Sequence, residues 1–139
     1  MKTNLRAFTL IEILVVVAII GLLAGVLVRN FDVIFGKTEK QIASLFVKTS
    51  LTTPFQSYYM DMHSYPTTAE GLKALLISPN GDERWKGPYA EMAGGKIPAD
   101  PWGEPYQYRY PGIKNKTKYD LFSKGPDKIE GTEDDIGNW

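Results

Sequence analysis

The spacing of the apolar positions changes near Arg29, and the change separates two elements. Residues 8–28 hold a single charged side chain, Glu12, in an otherwise apolar run. A helix that rises about 1.5 Å per residue would span roughly 31 Å over this run, close to the thickness of the hydrocarbon core of a bilayer. The pattern therefore predicts a membrane-spanning helix over residues 8–28.

After Arg29 the apolar residues recur at spacings of three, four and seven, with charged residues between them. They are Phe31, Ile34, Phe35, Ile42, Leu45 and Phe46. This spacing predicts that the helix continues beyond the bilayer, with an apolar stripe that forms the core of a small domain packed on it. Pro54 should end or kink the helix near residues 52–53, and residues 55–62 then resume it for two turns.

The second half of the chain predicts a short helix and a small sheet. Thr67 and Glu70 have the spacing of a capping box, and three leucines follow at helical spacing. Residues 80–104 show no period and are predicted to be mostly loop. Residues 106–110 and 118–123 are predicted strands joined by a hairpin loop. The predicted fold class is α+β, with a small antiparallel sheet packed on a long N-terminal helix whose first half spans the membrane.

The charges at the ends of the apolar run predict its orientation. Lys2 and Arg6 precede the run closely, whereas Arg29 alone follows it before the first acid. Because basic residues favour the cytoplasmic side, we expect a cytoplasmic N-terminus and an exported remainder. A cleaved signal peptide is the alternative, but it needs a shorter apolar stretch followed by a small-residue site. The run is longer than that and ends directly at Arg29, so we do not expect the span to be removed.

The composition argues against several classes of function. The 16 basic and 16 acidic residues give zero net charge, so no nucleic-acid partner is expected. The absence of cysteine excludes disulfide bonds and thiolate chemistry. His63 is the single histidine, and its place at a predicted helix end favours an exposed or capping role over catalysis. The sequence contains no phosphate-binding glycine loop and no nucleophile motif. We predict that the chain is not an enzyme.

Glu12 is the residue of the apolar run that needs an explanation. A carboxylate in a bilayer costs a few kcal/mol on insertion scales, and such a residue is functional by default. A single membrane anchor gains nothing from it, whereas an assembled state could bring a cation to it. The alternative is an acid that is merely tolerated near the headgroups.

The C-terminal end is acidic, and its composition leaves two interpretations open. Five carboxylates lie within nine residues, interspersed with glycine; they belong to Asp127, Glu130, Glu133, Asp134 and Asp135. Oxygen ligands on a glycine-containing loop suit Ca²⁺, and no histidine or cysteine lies near for zinc. A disordered acidic tail fits the composition equally well. The aromatic Trp139 at the terminus argues against a free tail, because it favours burial.

The run from Ala7 to Glu12 resembles the cleavage motif of type IV prepilins, which reads Gly-Phe-Thr-Leu-Ile-Glu. The resemblance implies that a membrane peptidase cuts between Ala7 and Phe8 and methylates the new amine of Phe8. It also implies that this amine pairs with Glu12 of a neighbouring subunit. An α-amino group has a pKa near 8, so it is largely charged at neutral pH. The chain departs from the motif at Ala7, where glycine is usual.

Three later segments resemble the major pseudopilins of type II secretion systems, within the type IV pilin superfamily. They are Tyr65-Pro66-Thr67-Thr68 with Glu70-Gly71-Leu72, Asp100-Pro101-Trp102-Gly103 with Pro105-Tyr106-Gln107-Tyr108, and Ser123 to Asp127 with the ending Asp134-Asp135-Ile136-Gly137-Asn138-Trp139. With the cleavage motif the resemblance covers nearly the whole chain. It implies a leader peptide over residues 1–7, a transmembrane and assembly helix over residues 8–28, and a periplasmic domain over residues 29–139.

The same resemblance implies a calcium site. Major pseudopilins carry one structural Ca²⁺ in their C-terminal loop, held by side-chain and backbone oxygens. The matching positions here are the side chains of Asp127, Asp134 and Asp135 and the carbonyls of Lys124 and Ile129.

The function implied by the resemblance is mechanical. Subunits would wait in the bacterial inner membrane and polymerise into a periplasmic fibre that drives folded proteins across the outer membrane. Expected partners are further copies of the chain, minor pseudopilins, the prepilin peptidase, the inner-membrane secretion platform and the lipid bilayer. The alternative is a type IV pilus subunit used in adhesion or motility. A binding module merely tethered to the membrane is the third interpretation, and Glu12 within the span argues against it.

Overall fold

The computed structural model describes residues 9–139, apart from the side chains of residues 27–36. Backbone contacts divide the chain into two compact units, one ending at Lys37 and the other covering Thr38–Trp139. Three members of the predicted apolar stripe fall among the side chains outside this description: Phe31, Ile34 and Phe35.

The first helix, α1, covers Leu10–Leu45. Thr9 precedes it and forms the capping interactions described below. Among the described residues, no helix combines the length and the apolar character needed to cross a bilayer. The span predicted over residues 8–28 includes Phe8, which lies outside the described residues, and it stays a prediction.

The helical path is interrupted upstream of Pro54, but the break lies at residues 46–51 and not near residues 52–53, where the sequence predicted it. A π-helical turn covers Phe46–Ser50, and helix α2 then covers Thr52–Met62. The Ser50 hydroxyl donates to the carbonyl of Leu45 across 3.3 Å. In a continuous α-helix the Ser50 carbonyl would face the proline ring, which can neither donate to it nor fit against it. The wider turn breaks the α-helical ladder here, and Pro54 falls in the first turn of α2, where a missing N–H costs little.

The buried face of the helices differs from the predicted stripe. Ala43, Val47, Leu51 and Phe55 follow one another in steps of four and are each at most 1 % exposed. The predicted core positions Ile42 and Leu45 are instead exposed, and the stripe is wrong at these two positions. The apolar pattern alone cannot tell a face that packs on the domain from a face that points away. The long-range contacts of the domain, which no helical period encodes, make that choice.

The capping box predicted at Thr67 is present. The Thr67 backbone N–H donates to the Glu70 carboxylate across 2.7 Å, and the Glu70 N–H donates to the Thr67 hydroxyl across 3.2 Å. The short helix that follows is a 3₁₀-helix over Gly71–Leu75 rather than an α-helix. Its residues Leu72 and Leu75 are buried against α2, as expected for the apolar face.

The sheet has three short antiparallel strands in the order β1-β2-β3. Strand β1 covers Gln107–Arg109, β2 covers Asp120–Ser123, and β3 covers Ile136–Gly137. The two predicted strands are confirmed with shorter bounds, whereas β3 was not predicted. The fold is thus α+β, and the sheet packs on the π-helical turn and the start of α2, where the Phe55 and Tyr119 rings stack with centroids 4.0 Å apart.

Burial of tyrosine side chains makes the core sensitive to alkaline pH. Loss of solvation raises the pKa of Tyr106 and of Tyr119 to about 12, and it also raises the pKa of Tyr108. Ionisation therefore costs more in the folded domain than in the unfolded chain, where the pKa of tyrosine is near 10.

The first prediction follows from this sign. Because the folded pKa values lie above the unfolded one, the stabilisation is fully present below about pH 10 and is lost as the pH rises towards 12. Urea unfolding of residues 38–139 should show constant stability up to about pH 10 and a fall above it. Tyr119→Phe removes one ionisable group, so its stability should fall less steeply over the same range, whereas the exposed Tyr59→Phe serves as the control. A native domain equally stable at pH 9 and pH 12 would contradict the prediction.

Candidate assembly and metal-binding sites

The N-terminal site is the first turn of α1, at the start of the described residues. Ala7 and Phe8, the predicted cleavage and methylation positions, lie outside the described residues. Glu12 lies in the first turn of α1 and closes a capping box with Thr9. Its Oε2 accepts the Thr9 backbone N–H across 2.8 Å and the Thr9 hydroxyl across 3.0 Å. In return, the Glu12 N–H bonds to the Thr9 hydroxyl across 3.3 Å.

The two oxygens of the Glu12 carboxylate are used unequally. Both bonds from Thr9 end on Oε2, and no described residue donates to Oε1. A carboxylate has about four acceptor positions, so the capping role leaves capacity for an incoming donor. The side chain can therefore fix the start of the helix and accept a cation at the same time.

The stretch of α1 beyond Glu12 presents apolar side chains in every direction. The large hydrophobic side chains between Leu10 and Val26 are each 49–84 % exposed in the isolated chain. An exposed apolar surface of this kind marks a face that another molecule or a lipid phase covers.

The acidic C-terminal segment is a folded loop, so the free-tail alternative is wrong. Gly125 lies directly against the backbone carbonyl of Asp134, which brings the two ends of the loop together. Gly125 and Gly131 have positive φ angles of 69° and 91°, conformations that side chains disfavour. Lys128, with φ of 60°, also adopts the left-handed conformation.

The three predicted carboxylate ligands have different partners within this loop. Asp127 accepts the Ile129 N–H across 3.0 Å, and this bond holds the pKa of its carboxyl below the usual value. Asp135 Oδ2 accepts the Gly131 N–H across 2.7 Å. The other oxygen, Asp135 Oδ1, is buried and has no hydrogen-bond partner among the described residues. An unpaired buried carboxylate oxygen is costly unless a donor or a cation meets it.

Ion pairs connect the loop to three other parts of the domain. Lys40 on α1 lies 3.2 Å from Asp134 Oδ1, and Arg109 on β1 lies 2.8 Å from Glu130. Lys128 lies 3.4 Å from Glu104. All six side chains are partly exposed, so each pair contributes about 0–1 kcal/mol to stability. Their main effect is to fix where the loop lies.

The remaining predicted ligands are backbone carbonyls at the two sides of Asp127. Lys124 directly follows β2, and the Ile129 carbonyl accepts the Thr132 hydroxyl across 3.3 Å. Within the part of the chain that the structure describes, no three acidic, histidine or cysteine side chains form a group that could hold a metal ion. The structure thus places the five predicted ligands on one closed loop without bringing three carboxylates together.

The last two residues of the chain are held on β2 and on the residue before it. The Asn138 side chain accepts the Leu121 N–H across 3.1 Å and donates to the Tyr119 carbonyl across 3.1 Å. Trp139 packs on Phe122 with ring centroids 5.6 Å apart and remains 43 % exposed. Its packing agrees with the argument from the sequence against a free terminus.

Two buried carboxylates shape the loops that hold the site, and sequence reasoning missed both. Asp120 accepts three consecutive backbone N–H groups, from Ile113, Lys114 and Asn115, at 2.6–2.8 Å. Asp100 accepts the N–H of Glu104 across 2.8 Å and the Ser123 hydroxyl. Two features of the sequence could have indicated them: Asp120 is an acid within an apolar strand pattern, and Asp100 is an acid directly before a proline in a turn.

Comparison with known proteins identifies the family of the chain. The family model for type II secretion system (T2SS) protein G matches residues 34–139, and that for the prokaryotic N-terminal methylation motif matches residues 2–28. The chain belongs to the type II secretion system protein G family.

Curated relatives and a solved structure support this membership. The type II secretion system core protein G of Pectobacterium carotovorum is 42 % identical over 96 % of this chain and 84 % of its own length. That of Escherichia coli K12 is 42 % identical over 96 % of this chain and 90 % of its own. The crystal structure of the major pseudopilin from enterohaemorrhagic Escherichia coli superimposes with a TM-score of 0.62 at 36 % identity. It covers 79 % of this chain and 90 % of its own.

Family membership decides between the functions considered from the sequence. The chain is a subunit of a type II secretion pseudopilus, which confirms the prediction and rejects the type IV pilus alternative. It belongs with membrane-anchored, periplasm-facing, pilus-like subunits that assemble with themselves and with other secretion components. The family is known for structural subunits; the absence of enzymatic activity stays a prediction.

Proposed function

We propose that the chain is stored in the inner membrane by its N-terminal helix and then polymerises into a periplasmic fibre that pushes folded proteins outwards. The observation that carries this proposal is the stretch of α1 between Leu10 and Val26, whose large apolar side chains are exposed on all faces. Lipid would cover these side chains before assembly, and the helices of neighbouring subunits would cover them in the fibre. Both environments are apolar, so the transfer between them costs little hydrophobic free energy.

The proposed topology has a cytoplasmic N-terminus and a periplasmic domain. Lys2 and Arg6 at the N-terminal side of the apolar run support this orientation. The leader over residues 1–7 would then face a prepilin peptidase of the inner membrane. A secretion platform in the same membrane would extract the subunits, and minor pseudopilins would join the fibre.

The second prediction concerns processing. The methylation motif matched over residues 2–28 leads us to expect cleavage between Ala7 and Phe8 and a methyl group on Phe8. Intact-mass analysis of chain purified from a host with the prepilin peptidase should show loss of residues 1–7 and gain of one methyl group. Ala7→Gly restores the usual residue of the motif and should be processed at least as completely. A purified chain that still begins at Met1 or Lys2 is incompatible with the proposal.

Glu12 is proposed to meet the methylated amine of a neighbouring Phe8 inside the fibre. The support is that Thr9 bonds only to Oε2, so that Oε1 has no donor among the described residues. The capping box also holds the carboxylate in the first turn of α1, four positions after the proposed new N-terminus in the sequence. In an apolar fibre core, pairing would remove two buried charges that each cost several kcal/mol alone.

The third prediction separates the charge of Glu12 from its capping role. Glutamine also serves at this position of a capping box, so Glu12→Gln keeps the cap and loses the charge. If the charge pairs with a neighbour, Glu12→Gln should impair fibre formation and secretion as severely as Glu12→Ala, because an unpaired buried amine costs about 3–5 kcal/mol. Membrane insertion should be unchanged in both variants. Fibre yield by electron microscopy and secretion of a reporter protein would be measured.

Glu39→Ala, which removes an acid from the same helix beyond the apolar stretch, is the matched control for that experiment. It should assemble normally. Normal fibres from Glu12→Gln together with defective fibres from Glu12→Ala would show that Glu12 acts only as a helix cap. Normal fibres from both variants would remove any role of Glu12 in assembly.

We also propose a structural Ca²⁺ in the acidic loop. The donors on this loop are all oxygens, and Asp135 Oδ1 is a buried carboxylate oxygen that lacks a partner. The side chains of Asp127, Asp134 and Asp135 and the carbonyls of Lys124 and Ile129 would hold the ion. Calcium accepts carboxylates, carbonyls and water together, so a mixed set of this kind fits its chemistry. The ion would neutralise the carboxylates and hold the loop against β2.

The fourth prediction is a calcium-dependent melting temperature. An extracellular site typically has a dissociation constant of roughly 10⁻⁴–10⁻³ M. At a twentyfold excess of Ca²⁺ over that constant, binding to the folded state alone adds about 1.8 kcal/mol. For a domain of this size the melting temperature should rise by about 7–14 °C. Thermal melts of residues 38–139 in Ca²⁺ and in EGTA measure this shift.

Variants of the proposed ligands provide the control for the melts. Asp127→Ala and Asp134→Ala should abolish the calcium-dependent shift, whereas Glu83→Ala, at an exposed acid outside the loop, should leave it intact. Identical melting of the native domain in Ca²⁺ and in EGTA would rule out the calcium site.

A further inference from the structure

The ion pair between Lys40 and Asp134 joins two segments that lie 94 positions apart in the sequence. Lys40 projects from α1, and Asp134 lies in the acidic loop just before β3. Their Nζ and Oδ1 atoms are 3.2 Å apart. Asp134 is also one of the three side chains proposed to hold calcium, so its carboxylate has two possible cationic partners.

The other cations around the loop do not meet proposed ligands. Arg109 pairs with Glu130, and Lys128 pairs with Glu104. Among the ion pairs of the described residues, only that of Lys40 includes a carboxylate of the proposed ligand set. The Lys40 ammonium group therefore contacts a carboxylate that a bound Ca²⁺ would also need as a ligand.

An ammonium group and Ca²⁺ compete for a carboxylate oxygen in a simple way. Both favour oxygen donors, and a lysine side chain is long and flexible enough to withdraw when another cation arrives. The Lys40 and Asp134 side chains are 52 % and 38 % exposed, so their mutual attraction is modest and the pair can separate without burying a charge. Repulsion between Lys40 and a bound Ca²⁺ would further favour withdrawal.

We propose that Lys40 acts as a stand-in cation that holds the acidic loop on α1 in the metal-free subunit and is displaced from Asp134 when Ca²⁺ binds. This inference rests on the calcium site of the proposed function. Lys40 thereby keeps the loop folded before metal is available and lowers the affinity of the site for the metal. It is a positioning residue for Asp134 and not itself a ligand.

The fifth prediction is that removal of the Lys40 charge tightens calcium binding. Lys40→Met keeps most of the side-chain length and loses the ammonium group. Isothermal titration of the full-length chain in detergent with CaCl₂ should give a dissociation constant about two- to fivefold lower than that of the native chain, the range expected for a partly exposed ion pair. Lys40→Met should also lower the melting temperature in EGTA but not in excess Ca²⁺, because the pair exists only in the metal-free state.

Lys128→Met is the matched control, because it also removes a lysine charge close to the proposed site. Lys128 lies in the loop itself, and it pairs with Glu104, which is not a proposed ligand. The dissociation constant of Lys128→Met should change less than that of Lys40→Met. Comparable tightening in both variants would overturn the proposal, since any nearby positive charge would then have the same effect.

The possible results distinguish the inference from the function on which it rests. A native chain that shows neither titration heat nor a thermal shift with Ca²⁺ would refute the calcium site and the role of Lys40 with it. A native chain that binds Ca²⁺, with unchanged or weaker binding by Lys40→Met, would refute the role of Lys40 alone. An equal loss of melting temperature in EGTA and in Ca²⁺ would show that Lys40 serves only to stabilise the fold, and this also contradicts displacement.

Discussion

Buried carboxylates hold together the half of the domain that has little regular structure. The sheet contains only three short strands, and the chain has no cysteine with which to cross-link its loops. Irregular backbone that leaves water must still find hydrogen-bond partners, or each group costs about 1–3 kcal/mol. Asp120 supplies three of these partners to the loop before β2, and Asp100 joins its turn to Ser123 at the end of β2. The position of the acidic loop depends on this framework.

The path of the helices depends on how Pro54 is accommodated. The π-helical turn over Phe46–Ser50 absorbs the break in the hydrogen-bond ladder, yet Val47, Leu51 and Phe55 keep a continuous buried face across it. The helix therefore changes from α to π geometry at this turn, and the buried apolar face on which the domain packs continues through it. The exposed side chains of Ile42 and Leu45 lie outside this buried face, and in a fibre such side chains are available for contact with neighbouring subunits.

Local features of the fold could be predicted from the sequence, and distant partners could not. The capping box at Thr67, the helix break before Pro54 and strands β1 and β2 each depend on residues within a few positions of one another. Strand β3 has two residues, too few for alternation to show, and it forms because β2 offers a partner. The pair of Lys40 with Asp134 and the contact of Gly125 with the Asp134 carbonyl depend on the closed fold, which neither spacing nor charge pattern encodes. The family resemblance supplied the five proposed metal ligands, whereas composition alone left a free tail equally open.

Glu12 caps its own helix, and its carboxylate has the capacity for the role in assembly that we propose. As a helix cap it uses one oxygen and needs only Thr9, so the role exists in a single chain. As the partner of a neighbour's amine it would use the other oxygen, and only in a fibre. A cap alone does not require an acid, since asparagine, serine or threonine at the N-cap position satisfies helix N–H groups without a charge. The proposed cation brought by assembly would account for the negative charge in an otherwise apolar segment, and the bonds to Thr9 would hold the carboxylate in place until that cation arrives.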